Sequence, residues 1–236
     1  MSISISKIKQ ELRKSASKEK AQILQRFFKT GPGEYGEGDI FIGVQVPAIR
    51  KLSKQCSDTS LKDLAQLLKS TIHEERLLAL LILVLQYKNS DKENKRKIFD
   101  LYLSNTKYIN NWDLIDLTAY HIVGQYLVKK SKVILYSLAR SRCLWERRIS
   151  ILSTFYYIKQ NKFEYSLKIA KILLNDEHDL IHKAVGWMLR EIGKRDQAVE
   201  ENFLMLHYKK MPRTMLRYAI ERFSEPKRQA YLKGIV

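Results

Sequence analysis

The side chains whose types and spacing could do chemistry gather around three tryptophans. Trp112, Asp113 and Asp116 stand at the start of a predicted helix, behind Asn110 and Asn111, either of which can cap it. Trp112 and Asp116 are four residues apart and share a helical face. The helix dipole favours a carboxylate in the first turn, which accounts for Asp113 but leaves Asp116 at the edge of that benefit. Trp187 with Arg190 and Trp145 with Arg148 repeat a tryptophan–arginine pairing at a spacing of three. A tryptophan is more often core than ligand platform, but a charged residue on its own face favours a groove.

Lys and Arg number 43 against 25 Asp and Glu, a formal net charge of +18. A surplus of that size favours a polyanionic partner. A carboxylate between tryptophans in a positive groove suits one kind of bond cleavage. A purine alkylated at N3 or N7 carries a positive charge and leaves as a neutral base, so it needs little acid catalysis. The remaining barrier is charge building on the deoxyribose, which a carboxylate beside C1′ stabilises, or meets by positioning a water. Tryptophan faces attract both cations, at about 0.5–2 kcal/mol per contact. Arginines can hold the flanking phosphates bidentately.

Other chemistries find less support. The run GPGEYGEGD lacks the Lys-Ser or Lys-Thr of a phosphate loop, and Glu34, Glu37 and Asp39 would repel phosphate. It reads as a long turn, followed by a short extended stretch from Phe41 to Pro47. His178 and His182 have a zinc-compatible spacing without a third ligand, and read as polar residues at a helix start. Cys56 and Cys143 form no CxxC motif and suit a reducing compartment. No Ser-His-Asp signature is recognisable. No metal or cofactor is expected. The apolar run from Leu77 to Leu85 is far shorter than the roughly 20 residues of a membrane span. The N-terminal MSISISKIKQELRK has no secretory pattern, so a cytoplasmic location, at the bacterial nucleoid, is expected.

The elements that must position these residues are helices. Gly and Pro are scarce, with nine and four copies, and five of the glycines fall between Gly31 and Gly43. No run alternates with period two over several residues and between turn signals, so no substantial sheet is predicted. After an N-terminal helix pair and the glycine-rich loop (residues 1–46), stacked pairs fill residues 47–236. They are Ser60–Ser70 with His73–Tyr87, Lys92–Leu103 with Trp112–Lys129, Lys132–Ser141 with Leu144–Lys159, Phe163–Leu174 with His178–Lys194, and Asp196–Tyr208 with Arg213–Phe223. Second helices recur at a spacing typical of helical solenoids, read as one repeat domain over 1–236. In His73–Tyr87, Leu77, Leu80, Leu81, Val84 and Leu85 form one apolar stripe. Arg76, Arg148 and Arg190 recur in second helices, which in a superhelix line the concave face, giving a basic groove about as wide as a duplex.

Four segments, GEGDIFIGVQVPAIRKL, NNWDLIDLTA, LWERRISIL and IHKAVGWMLRE, carry a resemblance to the AlkD family of DNA alkylation repair glycosylases, over roughly residues 19 to 222. The resemblance implies an all-α solenoid of HEAT-like repeats. It implies Asp116 as the catalytic carboxylate, with Trp112 and Trp187 flanking the lesion nucleotide. Arg148 and Arg190 become phosphate clamps and Phe27 a further aromatic wall, with Gln45 and Arg50 as lesser groove residues. The family grips the DNA backbone without a base-flipping pocket, in contrast to most glycosylases. Two features depart from its pattern. Asn111 stands where some members have a second Trp, and the glycine-rich loop is longer than in the shortest members.

The implied activity is hydrolysis of the N-glycosidic bond of cationic N3- or N7-alkylated purines in duplex DNA, by a monomer that engages no membrane. The competing readings are a non-catalytic paralogue that recognises bent or branched DNA, and a HEAT-type scaffold for an acidic protein.

Overall fold

Side-chain oxygens of Ser4, Ser17, Ser60, Asp91 and Asp196 each accept a backbone N–H at a helix start, the local signal that begins these elements. The computed structural model describes residues 4–236, and among them the chain forms fifteen α-helices. They fall into two compact units, Met1–Ile122 and Val123–Val236. The first holds α1 (Ile5–Arg13), α2 (Lys18–Phe27), α3 (Val46–Gln55), α4 (Leu61–Leu68), α5 (His73–Asn89), α6 (Lys92–Ser104) and α7 (Trp112–Asp116). The second holds α8 (Val133–Ala139), α9 (Leu144–Ser153), α10 (Phe155–Ile158), α11 (Glu164–Ile172), α12 (Asp179–Gly193), α13 (Gln197–His207), α14 (Arg213–Ala219) and α15 (Glu225–Lys233). The one β pairing among the described residues is an isolated parallel bridge between Ile40 and Ile72. The all-α expectation therefore holds.

Each unit is organised around one central helix. In the first it is α5, against which α3, α4, α6 and α7 pack. The predicted single apolar stripe on α5 is corrected here. Leu78, Ala79, Ile82 and Leu83, off that stripe, are fully buried, whereas Val84 and Leu85 are half-buried. A helix packed from several sides has no solvent face to reserve for polar residues. In the second unit α12 has this role, touched by α9, α10, α11, α13 and α14. Gly186 lets α14 approach α12 closely, since a Cβ there would lie 2.4 Å from the Met215 carbonyl oxygen.

The glycine-rich loop is a turn, as its sequence predicts. The Glu34 and Glu37 carboxylates accept the Gly31 and Gly33 N–H groups, at 2.9 Å each, so both acids serve the loop itself. Gly43 has φ +81°, and a Cβ there would lie 2.1 Å from the Ser17 carbonyl oxygen, so glycine is required.

Two predicted long helices are broken. Trp112–Lys129 stops at Asp116 and resumes as a π-helical turn at Tyr120–Gly124. Leu144–Lys159 divides into α9 and α10 at Thr154. A buried threonine sits at each break. Thr118 Oγ1 donates to the Leu114 carbonyl and Thr154 Oγ1 to the Ile151 carbonyl, so a hydroxyl competes with the backbone ladder. Helix α15 lies beyond the last predicted element. Its start carries Pro226, Gly234 ends it at φ +73°, and Tyr231 is its one buried residue, too little for an apolar stripe.

Glu200 on α13 is buried, and its Oε1 has no hydrogen-bond partner. Burial and the nearby Glu201 charge push its pKa up to about 8, against a smaller downward pull from Arg190. The folded state thus binds this proton more tightly than the unfolded chain does. The stability it confers is full below the ordinary value of 4.5 and drains away as pH rises to about 8. Glu200→Gln is expected to unfold at higher temperature than the parent at pH 8, with the difference shrinking by pH 4, in calorimetric melts across that range.

Candidate functional site

The start of α5 is where the sequence anchors the candidate site of the first unit. His73, Glu74, Glu75 and Arg76 form its first turn, and all four are buried. Each reaches a different segment. Glu75 pairs with Lys9 at 2.8 Å and Arg13 at 3.0 Å on α1. The Glu74 carboxylate accepts the N–H groups of Ile42, Gly43 and Val44, at 2.8–3.2 Å, fixing the extended strip that leads into α3. Arg76 donates to Asp39 at 2.6 Å and to the Ser70 carbonyl at 2.9 Å. His73 bridges two carboxylates, Asp39 through Nδ1 at 3.1 Å and Asp113 through Nε2 at 2.8 Å.

Asp39 is the hub of this network. Besides His73 and Arg76, it accepts from Asn110 Nδ2 at 3.1 Å and, more weakly, from Asn111 Nδ2 at 3.4 Å. Burial alone would raise its pKa, but His73, Arg76 and Asn110 outweigh that and hold it below the usual carboxylate range. Burial likewise pulls the His73 pKa down. The Asp113 charge and the hydrogen bonds that His73 donates to both carboxylates overcome the pull and raise it to about 9. His73 is therefore an imidazolium at neutral pH, and its contribution fades only as pH climbs from 6.5 towards 9.

This network sets the position of α7. Asn111 is the residue that caps the helix, accepting the Trp112 N–H at 2.9 Å, and it is fully buried. Its departure from the resembled pattern therefore faces inward. Asp113 is fastened to His73, so the dipole alone does not account for it. Along α7, Asp113, Leu114 and Ile115 are buried, while Trp112 and Asp116 at its two ends are half-buried and partly open to solvent. Trp112 stacks on Phe28, with centroids 5.1 Å apart and planes at 17°, and Phe28 stacks in turn on Phe41 at 4.9 Å. The Asp116 charge is felt at the buried Tyr102 hydroxyl, where it adds to the upward push of burial on that phenol's pKa.

The remaining predicted residues of this unit lie on α2 and α3. Phe27 ends α2, is 61% exposed and meets Trp112 edge-on at 5.9 Å, so the structure brings these two together. Gln45 is exposed at the start of α3 and makes no side-chain capping bond. Arg50 is exposed on α3, and its charge partly offsets the burial that raises the Tyr120 pKa.

Arg148, Trp187 and Arg190 belong to the second unit. Arg148 on α9 is buried, and its Nη1 donates to the Leu180 carbonyl on α12 at 2.5 Å. Trp187 and Arg190 are both half-buried on α12. Trp187 Nε1 donates to Glu191 at 3.3 Å, and the ring lies 5.8 Å from Phe155. Arg190 is ion-paired with Glu221.

Two expectations are corrected and a third is met. Trp145 is core, because its side of α9 is buried against the unit rather than open. Arg76 lines no groove, since its guanidinium is consumed by Asp39 and Ser70. His178 and His182 serve the backbone, His178 Nδ1 accepting the Leu180 N–H and His182 Nε2 meeting the Asp176 carbonyl, in keeping with the helix-start reading. Sequence reasoning missed Asp39, His73 and Phe28. The available signal was the HEER turn itself, four consecutive polar residues opening a helix that is otherwise apolar on every side.

Removing the hub leaves His73 and Arg76 buried with one counter-charge fewer. Asp39→Ala is expected to lower the unfolding free energy by about 3–5 kcal/mol in urea titrations at pH 7. A loss under 1 kcal/mol would show that the network does not hold this site together.

A family model described as DNA alkylation repair enzyme matches residues 8–223. Among solved structures, a predicted DNA alkylation repair enzyme from Enterococcus faecalis is similar at a TM-score of 0.70 and 17% sequence identity, over 89% of this chain and 98% of that one. That likeness bears on the fold. No curated protein matches.

Proposed function

The chain belongs to the family of DNA alkylation repair enzymes, and on that premise we propose that it is a DNA glycosylase acting on cationic N3- and N7-alkylated purines in duplex DNA. The observation that carries this reading is the exposure pattern of α7. Its three middle residues are buried, and Trp112 and Asp116 look outward on one face. A half-open carboxylate beside an aromatic face, on a chain of net charge +18, suits a positively charged substrate embedded in a polyanion.

In this mechanism the C1′–N bond breaks and its electron pair neutralises the departing base. Asp116 stabilises the oxocarbenium-like sugar. Water then adds to C1′ and gives up a proton. Trp112 presents its face to the lesion nucleotide, Phe27 extends the aromatic wall beside it, and Trp187 is the second unit's aromatic candidate for a DNA contact. Arg190 holds a phosphate, whereas Arg148 is buried on the Leu180 carbonyl and would have to leave that contact to act as a second clamp. Gln45 and Arg50 are lesser contacts. The partly buried setting of Trp112 and its stacking on Phe28 support a preorganised surface, since the ring loses little freedom when it meets DNA. No helix among the described residues is long and apolar enough to cross a membrane.

Asp116→Asn is expected to slow single-turnover release of 7-methylguanine or 3-methyladenine from methylated duplex by on the order of 10²-fold, with DNA affinity retained. Release at the parental rate would sink the assigned role. Tight binding by the parent enzyme with no base release would favour the non-catalytic reading instead.

A further inference from the structure

Arg190 meets DNA in the proposed mechanism, yet it already has an anionic partner. Glu221 lies in the single 3-10 turn, Ile220–Arg222, that follows α14, and its carboxylate is ion-paired with Arg190 Nη1. The Glu221 side chain is 50% exposed and that of Arg190 19% exposed, so the pair sits at the surface. The other acids nearby are differently engaged. Glu191 is occupied by Lys194 at 2.8 Å, Arg195 at 3.2 Å and the Trp187 indole. Glu200 is neutral at pH 7, its pKa raised to about 8 by burial and by Glu201.

We infer that Glu221 is a phosphate-mimicking latch on Arg190 that restrains binding to DNA in general. A carboxylate and a phosphodiester offer the same thing to a guanidinium, two oxygens in a bidentate geometry. In the free protein Glu221 occupies part of that place through one oxygen on Arg190 Nη1. On the duplex a phosphate takes it over and the released carboxylate returns to solvent. An exposed ion pair is weak enough to be displaced in this way. On a chain of net charge +18, such a restraint limits dwell time on undamaged DNA, which would otherwise hold the protein through charge alone.

The inference rests on the reading that Arg190 holds a DNA phosphate, and the experiment separates the two. Binding of a labelled undamaged duplex is followed by fluorescence anisotropy at several KCl concentrations. The proteins compared are the parent, Glu221→Gln, Arg190→Gln and the double variant. Glu221→Gln keeps the side-chain shape, and Glu221→Ala provides a second removal of the charge. Either variant is expected to raise affinity about two- to fivefold, the scale of an exposed ion pair. It should also steepen the slope of log affinity against log salt by up to about one. In the Arg190→Gln background the gain should vanish. An equal gain in that background would reduce Glu221 to one more surface charge and overturn the latch, as would unchanged affinity in both Glu221 variants. If Arg190→Gln binds DNA like the parent, or the parent does not bind DNA, the reading of Arg190 falls and the latch falls with it.

Discussion

The Asp39 carboxylate is the constraint on which the first unit's candidate site depends. It faces an imidazolium, a guanidinium and two side-chain amides away from water. Buried charges are tolerated only when they are paired and hydrogen-bonded, so each partner must arrive together with the backbone that carries it. His73 and Arg76 bring the first turn of α5, and Asn110 and Asn111 bring the start of α7. The same helical turn sends Glu74 to three N–H groups of the strip before α3, and Glu75 to α1. One turn of helix thereby fixes four segments. Trp112 and Asp116 stay half-buried at the two ends of α7, while Asp113 beside Trp112 is fastened inward.

The sequence made the all-helical fold readable, because glycine and proline are scarce and no sustained period-two alternation lies between turn signals. The breaks at Thr118 and Thr154 were hidden, since a hydroxyl bonding one turn back leaves the apolar periodicity intact. The spacing of Trp112 and Asp116 anticipated their shared open face. The same logic failed for Trp145, where a charged neighbour three residues on did not imply a groove: Arg148 is itself buried and turned to the Leu180 carbonyl. Spacing within one helix states which residues are neighbours, and the helices packed around it decide which face meets water.

The supporting polar network was unreadable for another reason. His73 pairs with Asp39 across 34 residues of chain and with Asp113 across 40. No local pattern encodes such a partnership, although each member stands beside a residue that the motifs single out. Asp113 follows Trp112 directly, and Asp39 closes the glycine-rich loop. The loop's acids that seemed to argue only against phosphate thus have structural work. Glu34 and Glu37 close the turn, and Asp39 neutralises the interior.

The stacking of Trp112 on Phe28 carries a consequence for assembly. Helices such as α5 form from near neighbours in the chain, whereas this contact joins residues separated by most of the first unit. Chain closure over that distance carries an entropic cost that only the completed set of partners repays. Seating the indole on its aromatic neighbour therefore draws on long-range closure that helix formation alone does not supply. A chain with native helix content but an unseated tryptophan would lack the indole face that the proposed mechanism uses, so that mechanism depends on tertiary closure rather than on secondary structure alone.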